Sequence, residues 1–495
     1  MNTTHNPLLY QINTRVWLTE LSRMLERTVT LDDIPDSELD RLASLGFDWL
    51  WFLSVWQTGP TSQHVSRTNP VWRAEFEETL PDLTEDDIQG SGFAITGYRV
   101  HENLGGAAAL ARLRERLHER GLKLMLDFVP NHVGLDHPWV DSHPDYFIQG
   151  TGNDLAHAPH NFVWVKSRQR DLLLAHGRDP YFAGWVDTLQ LNYANPALQK
   201  AMMDELVQIA SQCDGVRCDM AMLVLPEIFE RTWGKPAPLF WPTAIQEVRE
   251  RYPKFLLLAE VYWDMEWTLQ QQGFNYAYDK RLYDRLREGH ARPVREHFYA
   301  GLDYQNRLAR FLENHDEPRA AATFSPGVHH AAAVISFLSP GLRFFHDGQF
   351  EGRKKRISPH LVRAPQEPAD ADLKRFYDRL LNILNLPAVR EGEWQLMECK
   401  PAWDGNGTND DFFVSVWRSW DKQTLVVAVN YSSHQSQCYV RLPFEDLDGS
   451  IWRLSDQLSP ACYVRDGEDL CGRGLYLDMA AWESAVFSFS LYNSI

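Results

Sequence analysis

The sequence predicts an α/β fold: a (β/α)8 TIM barrel of parallel strands, with a small domain inserted after strand three and an antiparallel β domain at the C-terminus. Three observations predict it. Four apolar runs, residues 124–132 (LMLDFVPNH), 215–219 (GVRCD), 256–260 (LLLAE) and 311–319 (FLENHDEPR), each lead into a carboxylate. Helical patterns separate these runs, and parallel strands need such crossovers. Beyond about residue 390 the helical spacing gives way to short alternating runs of the kind found in antiparallel sheets.

Taken in order, residues 8–18 (LLYQINTRVWL) read as the first strand. A helix follows from Asp36, with Leu39, Leu42 and Leu45 on one face and Gly46 ending it. Residues 47–55 (FDWLWFLSV) form an almost wholly apolar second strand, as expected where both faces are covered. Residues 57–106 read as a long polar loop. A helix over 107–121, with Leu110, Leu113 and Leu117 in phase, leads to the third strand at 122–127.

Residues 132–192 are aromatic-rich and irregular and read as the insertion. Asn195-Pro196 then gives an N-cap and a first-turn residue for a helix carrying Leu198, Met202, Leu206 and Ile209. Strand four follows at Val216. A helix with Ile245, Val248 and Tyr252 precedes strand five at Phe255. Residues 274–278, 308–312 and 342–345 supply strands six to eight, and a helix over 373–384 completes the count. The predicted domains are therefore a barrel at 1–131 and 193–390, an inserted domain at 132–192, and an all-β domain at 391–495 whose strands include 412–417, 424–429 and 438–442.

The bulk composition narrows the class. In 495 residues, 49 Lys and Arg stand against 67 Asp and Glu, a formal charge of −18. That excess would be repelled by phosphates, so neither nucleic acid nor an anionic membrane is an expected partner. The six cysteines show no C-x-x-C spacing and read as reduced thiols. Residues 1–17 lack a signal-peptide core, and no run reaches transmembrane length, so a cytoplasmic location is expected. Oligomeric state is not legible. The basic run Arg353 to Arg356 reads as a solvated patch.

In parallel barrels the site lies at the C-terminal strand ends, where Asp127, Asp219, Glu260 and Asp316 are all expected. Any one of these carboxylates alone would read as a strand cap or surface ion pair. Four together, with Arg217, His132 and His315, point to chemistry. Arg217 lies two residues before Asp219, on the same side of its strand, and can keep that carboxylate ionised. An ionised carboxylate beside a second one that carries a proton is the division of labour in retaining glycoside hydrolysis.

In this order the stretches resemble the α-amylase family of glycoside hydrolases. DFVPNH (127–132), GVRCD (215–219), AEV (259–261) and ENHDEPR (313–319) are similar to its first four motifs. YQINTRVW (10–17), GFAITGYRVHENLGG (92–106) and TLQLN (188–192) occupy the places of further family features. The resemblance implies Asp219 as nucleophile, Glu260 as general acid/base and Asp316 as the residue gripping sugar hydroxyls. It places Asp127, His132, Arg217 and His315 in the subsite where the sugar is distorted. Phe93 stands where the family has a sugar-stacking Tyr, and Arg319, closing the fourth motif, joins the substrate-binding set.

The chain also departs from the pattern. Met222 and Leu223 replace a Lys-His pair, and Gly97 replaces an Asp. An apolar Leu223 in a usual calcium-ligand place leaves Asn131 with an incomplete shell. No cofactor is expected to be required, calcium is disfavoured, and no metal ligand is assigned. The implied activity is hydrolysis of α-glucosidic bonds in α-glucans or short α-glucosides, with a carbohydrate as the partner. Glucosyl transfer to a sugar, polyol or phosphate uses the same residues and stays open. A non-catalytic relative would be marked by loss of a catalytic carboxylate, and all three are present.

Overall fold

The computed structural model describes residues 6–442 and 444–492. Among these, eight parallel strands close into a barrel: β1 (Leu8–Asn13), β2 (Trp49–Leu53), β3 (Lys123–Phe128), β4 (Gly215–Cys218), β5 (Leu256–Ala259), β6 (Tyr276–Tyr278), β7 (Leu308–Arg310) and β8 (Leu342–His346). Their order around the barrel is β1-β8-β7-β6-β5-β4-β3-β2. Every residue of β2, β4, β5 and β8 is buried, as strands covered on both faces require.

Two elements differ from the sequence reading. The first strand stops at Asn13, and residues 14–18 belong to the helix Thr14–Met24. The Asn13 side chain accepts from the Val16 N–H at 3.4 Å, so a capping residue overrides an apolar run that continues through it. Residues 57–106 are not one polar loop. They hold the helices Pro60–Thr68 and Pro70–Thr79, and the strand Ile95–Val100 returns to pair antiparallel with Trp56–Thr58. Each helix has proline in its first turn, and Asn69 caps the second by accepting from Val71 and Trp72. Phe76, Leu80 and Ile88 bury against Leu361 in a satellite core that the many surface charges hide from a hydropathy scan.

The chain divides into two compact units. One comprises Leu9–Tyr278 and Lys355–Gln366. It includes β2 to β6 and the segment after β3, in which His132–Gly134 pairs with Thr188–Gln190 and Phe162–Val165 with Leu172–Ala175. The other comprises Met1–Leu8, Asp279–Lys354 and Glu367–Ile495. It carries β7 and β8 and the C-terminal antiparallel sheets. The larger sheet runs Glu393–Leu396, Phe412–Arg418, Thr424–Asn430, Ser484–Leu491, Ile451–Asp456, Cys462–Asp466. The smaller runs Cys399–Pro401, Ser436–Val440, Leu475–Met479. Within this second unit the Trp417 indole donates to the Leu338 carbonyl at 2.7 Å, and the Tyr431 hydroxyl to that of Leu286 at 2.6 Å. All six cysteines are free thiols. Among the described residues no helix is long and apolar enough to cross a membrane.

Candidate active site

β4 and β5 pair in step, from Gly215 with Leu256 to Cys218 with Ala259. The next residue of each is a carboxylate, so Asp219 and Glu260 leave the barrel at neighbouring strand ends. The ladder extends to both. The Asp219 N–H donates to the Phe128 carbonyl at 2.8 Å, and that of Glu260 to the Cys218 carbonyl at 3.0 Å.

Arg217 organises the pair. One terminal nitrogen lies 2.6 Å from Asp219 Oδ1, the other 2.8 Å from Glu260 Oε2. The guanidinium is only 1% exposed and sits among aromatic rings, 5.4 Å from Trp51, 5.3 Å from Phe93 and 5.9 Å from Tyr278. Burial opposes its charge, yet Glu260 and Tyr278 raise its pKa well above the ordinary arginine value, so it stays cationic. The second oxygen of Asp219, Oδ2, is buried and accepts no hydrogen bond among the described residues. A carboxylate with one oxygen held by a cation and the other unengaged can act as a nucleophile.

Glu260 draws further donors. The Met220 N–H reaches Oε2 at 2.6 Å, and the Tyr262 hydroxyl donates to Oε1 at 3.1 Å. Met220 has φ 42° and ψ 47°, a left-handed conformation that costs a non-glycine residue roughly 1–3 kcal/mol. The twist falls directly after Asp219, at the residue whose amide donates to Glu260. Tyr262, Met220, Trp51 and Tyr278 are contacts of Arg217 and Glu260 that the sequence reading missed. Tyr262 was recoverable from its spacing alone, two residues beyond Glu260. The twist at Met220 has no signal in the sequence.

Asp127 lies on β3 beside Arg217 and is 1% exposed. The Trp51 indole donates to its Oδ1 and the Ser54 N–H to its Oδ2, both at 3.1 Å. Burial raises its pKa to about 7, against the pull of Arg217. His132 is buried, and its ring lies 5.1 Å from that of Trp185. Burial lowers its pKa and keeps it neutral, outweighing the attraction of Asp219. Phe93, 9% exposed, presents its ring to Arg217. Asp127, His132, Phe93, Arg217, Asp219 and Glu260 thus all lie within one unit.

The remaining predicted residues lie past the end of β7, in the other unit. His315 is buried, with Nε2 3.1 Å from Oδ2 of Asp316, whose side chain is 41% exposed. The Asn314 side chain accepts from the N–H groups of Asp316 and Glu317 at 2.9 Å and sets the turn that presents Asp316. Arg319 is 3% exposed. It donates to Glu313 at 2.7 Å, to His346 Nδ1 at 2.7 Å and to the Asp347 carbonyl at 2.8 Å. Those bonds tie together the segments that follow β7 and β8.

This geometry defines the class. The family model for the alpha-amylase catalytic domain matches residues 31–379, and the chain belongs to that family. Among curated relatives it is 24% identical over 417 residues to an alpha-amylase, MalA, of Haloarcula japonica, covering 82% of this chain and 53% of that protein. It is 24% identical over 362 residues to the intracellular maltogenic amylase of Bacillus subtilis, covering 67% and 55%. The chain therefore spans about half the length of these relatives. Among solved structures, the noncanonic maltogenic alpha-amylase AmyB of Thermotoga neapolitana superposes with a TM-score of 0.68 at 17% identity, covering 99% of both chains. At that identity the superposition speaks for the fold.

Proposed function

We propose that the protein is a retaining glycoside hydrolase acting on α-glucosidic bonds of α-glucans or short α-glucosides. Asp219 attacks the anomeric carbon, Glu260 protonates the departing oxygen and later activates water, and Asp316 binds sugar hydroxyls. The carrying observation is the Arg217 bridge, which holds Asp219 by one oxygen, leaves the other unengaged, and keeps Glu260 alongside. Asp127, His132, His315 and Phe93 contribute to substrate binding in the same reading, while Arg319 supports the loop that carries Asp316. The MalA and maltogenic amylase names support an α-glucan substrate. A cytoplasmic location belongs to the same proposal, supported by six free thiols and by the word intracellular in the Bacillus subtilis relative's name.

The test is incubation with maltooligosaccharides, sucrose, trehalose and glucosylated polyols, with and without phosphate. Products are separated by chromatography, and early ones are read by NMR. Hydrolysis products emerging as the α anomer are expected. Products that emerge as the β anomer would overturn the nucleophile assignment, and transfer products in place of free sugar would replace hydrolysis by transglycosylation.

A further inference from the structure

The α-amylase resemblance raises a structural calcium between the inserted segment and the barrel, with Asn131 as the candidate ligand. The residues present do not fit one. Gln190, fully buried, points its side-chain nitrogen at three oxygens: the Asn131 carbonyl and Oδ1, both at 3.0 Å, and the Leu191 carbonyl at 3.1 Å. The Gln190 oxygen accepts from the Arg178 N–H at 3.4 Å, which fixes the orientation of the amide. Calcium takes 6–8 oxygens at about 2.3–2.6 Å, with carboxylates among them. Here the converging oxygens are neutral and the amide nitrogen fills the space between them. Leu223, at the other family ligand position, is apolar and buried.

We infer that the Gln190 carboxamide replaces a cation as the link between the inserted segment and the barrel, and that Gln190 is a positioning residue for His132. The link joins the two arms of one small sheet. His132 and Gln190 are directly opposite each other in that pair, and the Leu191 N–H donates to the Asn131 carbonyl at 3.1 Å. The Asn131 side-chain nitrogen lies 3.5 Å from His132 Nδ1. The Asn131 carbonyl already accepts the Leu191 N–H, so the two amide hydrogens of Gln190 matter most for the Asn131 side-chain oxygen and the Leu191 carbonyl, acceptors that are costly to bury without a donor. The link therefore stands at any calcium concentration.

Two variants test this. Gln190→Leu removes the donor. Gln190→Asp is shorter by one methylene and sets a carboxylate against the same three oxygens, a set that calcium can complete. The wild type is expected to keep its Tm and kcat in chelator and to take up no calcium in equilibrium dialysis. Both variants should lose several degrees of Tm and much of kcat. Added calcium should restore both quantities in Gln190→Asp and neither in Gln190→Leu. If Gln190→Asp folds only with calcium present, that is the same result read at refolding.

The inference is overturned if chelator lowers the wild-type Tm and calcium restores it, or if the wild type binds calcium. It is equally overturned if Gln190→Leu keeps wild-type Tm and kcat, or if calcium leaves Gln190→Asp unchanged. The kcat arm rests on the catalytic reading above. The Tm and dialysis arms do not, so the two can fail separately.

Discussion

Arg217 contacts Asp219 at 2.6 Å and Glu260 at 2.8 Å through different nitrogens of one guanidinium. A lysine keeps the charge but puts its donors on one nitrogen, so it cannot reproduce contacts that Arg217 makes from two separated nitrogens of a planar fork. Arg217→Lys should lower kcat by about 10²–10³-fold, the usual effect of removing one preorganised donor. KM should change much less. Steady-state kinetics on a maltooligosaccharide checks this, and a near wild-type kcat would mean that the bridge is incidental.

The pH dependence of stability offers a second check, at Asp127. Its carboxyl rises from 3.8 to about 7 on burial. The folded state thus holds this proton more tightly than the unfolded chain does. Its contribution is fully present below 3.8 and is lost as pH climbs through about 7. Asp127→Asn cannot ionise and removes that slope. Urea midpoints for the two proteins, measured from pH 4 to pH 8, should converge or cross, with the wild type losing ground as pH rises. Parallel curves would contradict the shift.

Much of this was legible in the sequence because its cause is local. Short apolar runs that end on Asp219 and Glu260 fit buried strands whose exits carry charge, and Arg217 two residues upstream announces its own partner. What was hidden depends on tertiary packing or on single dihedrals. Asn13 caps a helix inside an apolar run, and the helices at Pro60 and Pro70 bury a thin apolar stripe beneath many charges. Gln190 carries the clearest lesson. A polar residue in TLQLN has no stated partner until the segment folds back onto Asn131.

Arg319 gives a third test. The resemblance places it among substrate-binding residues, whereas its guanidinium is buried against Glu313, His346 and the Asp347 carbonyl. Arg319→Met would leave the fully buried Glu313 with the Ala320 N–H and His346 but without its guanidinium, and breaking such a pair typically costs about 3–5 kcal/mol. A large drop in urea midpoint is expected. Unchanged stability with weakened substrate binding would return Arg319 to the substrate-binding set.

The central claim is that Asp219 becomes covalently attached to the sugar. The most direct measurement uses 5-fluoro-α-glucosyl fluoride, whose fluoride departs without protonation while the ring fluorine slows turnover of the intermediate. Glu260→Gln, which lacks the base that activates water, should extend its lifetime further. Digestion and peptide mass spectrometry should find one fluoroglucosyl adduct, on Asp219, and Asp219→Asn should acquire none. Added azide should clear the adduct from Glu260→Gln as an α-glycosyl azide. An adduct on any other residue, or one that forms equally in Asp219→Asn, would contradict the account.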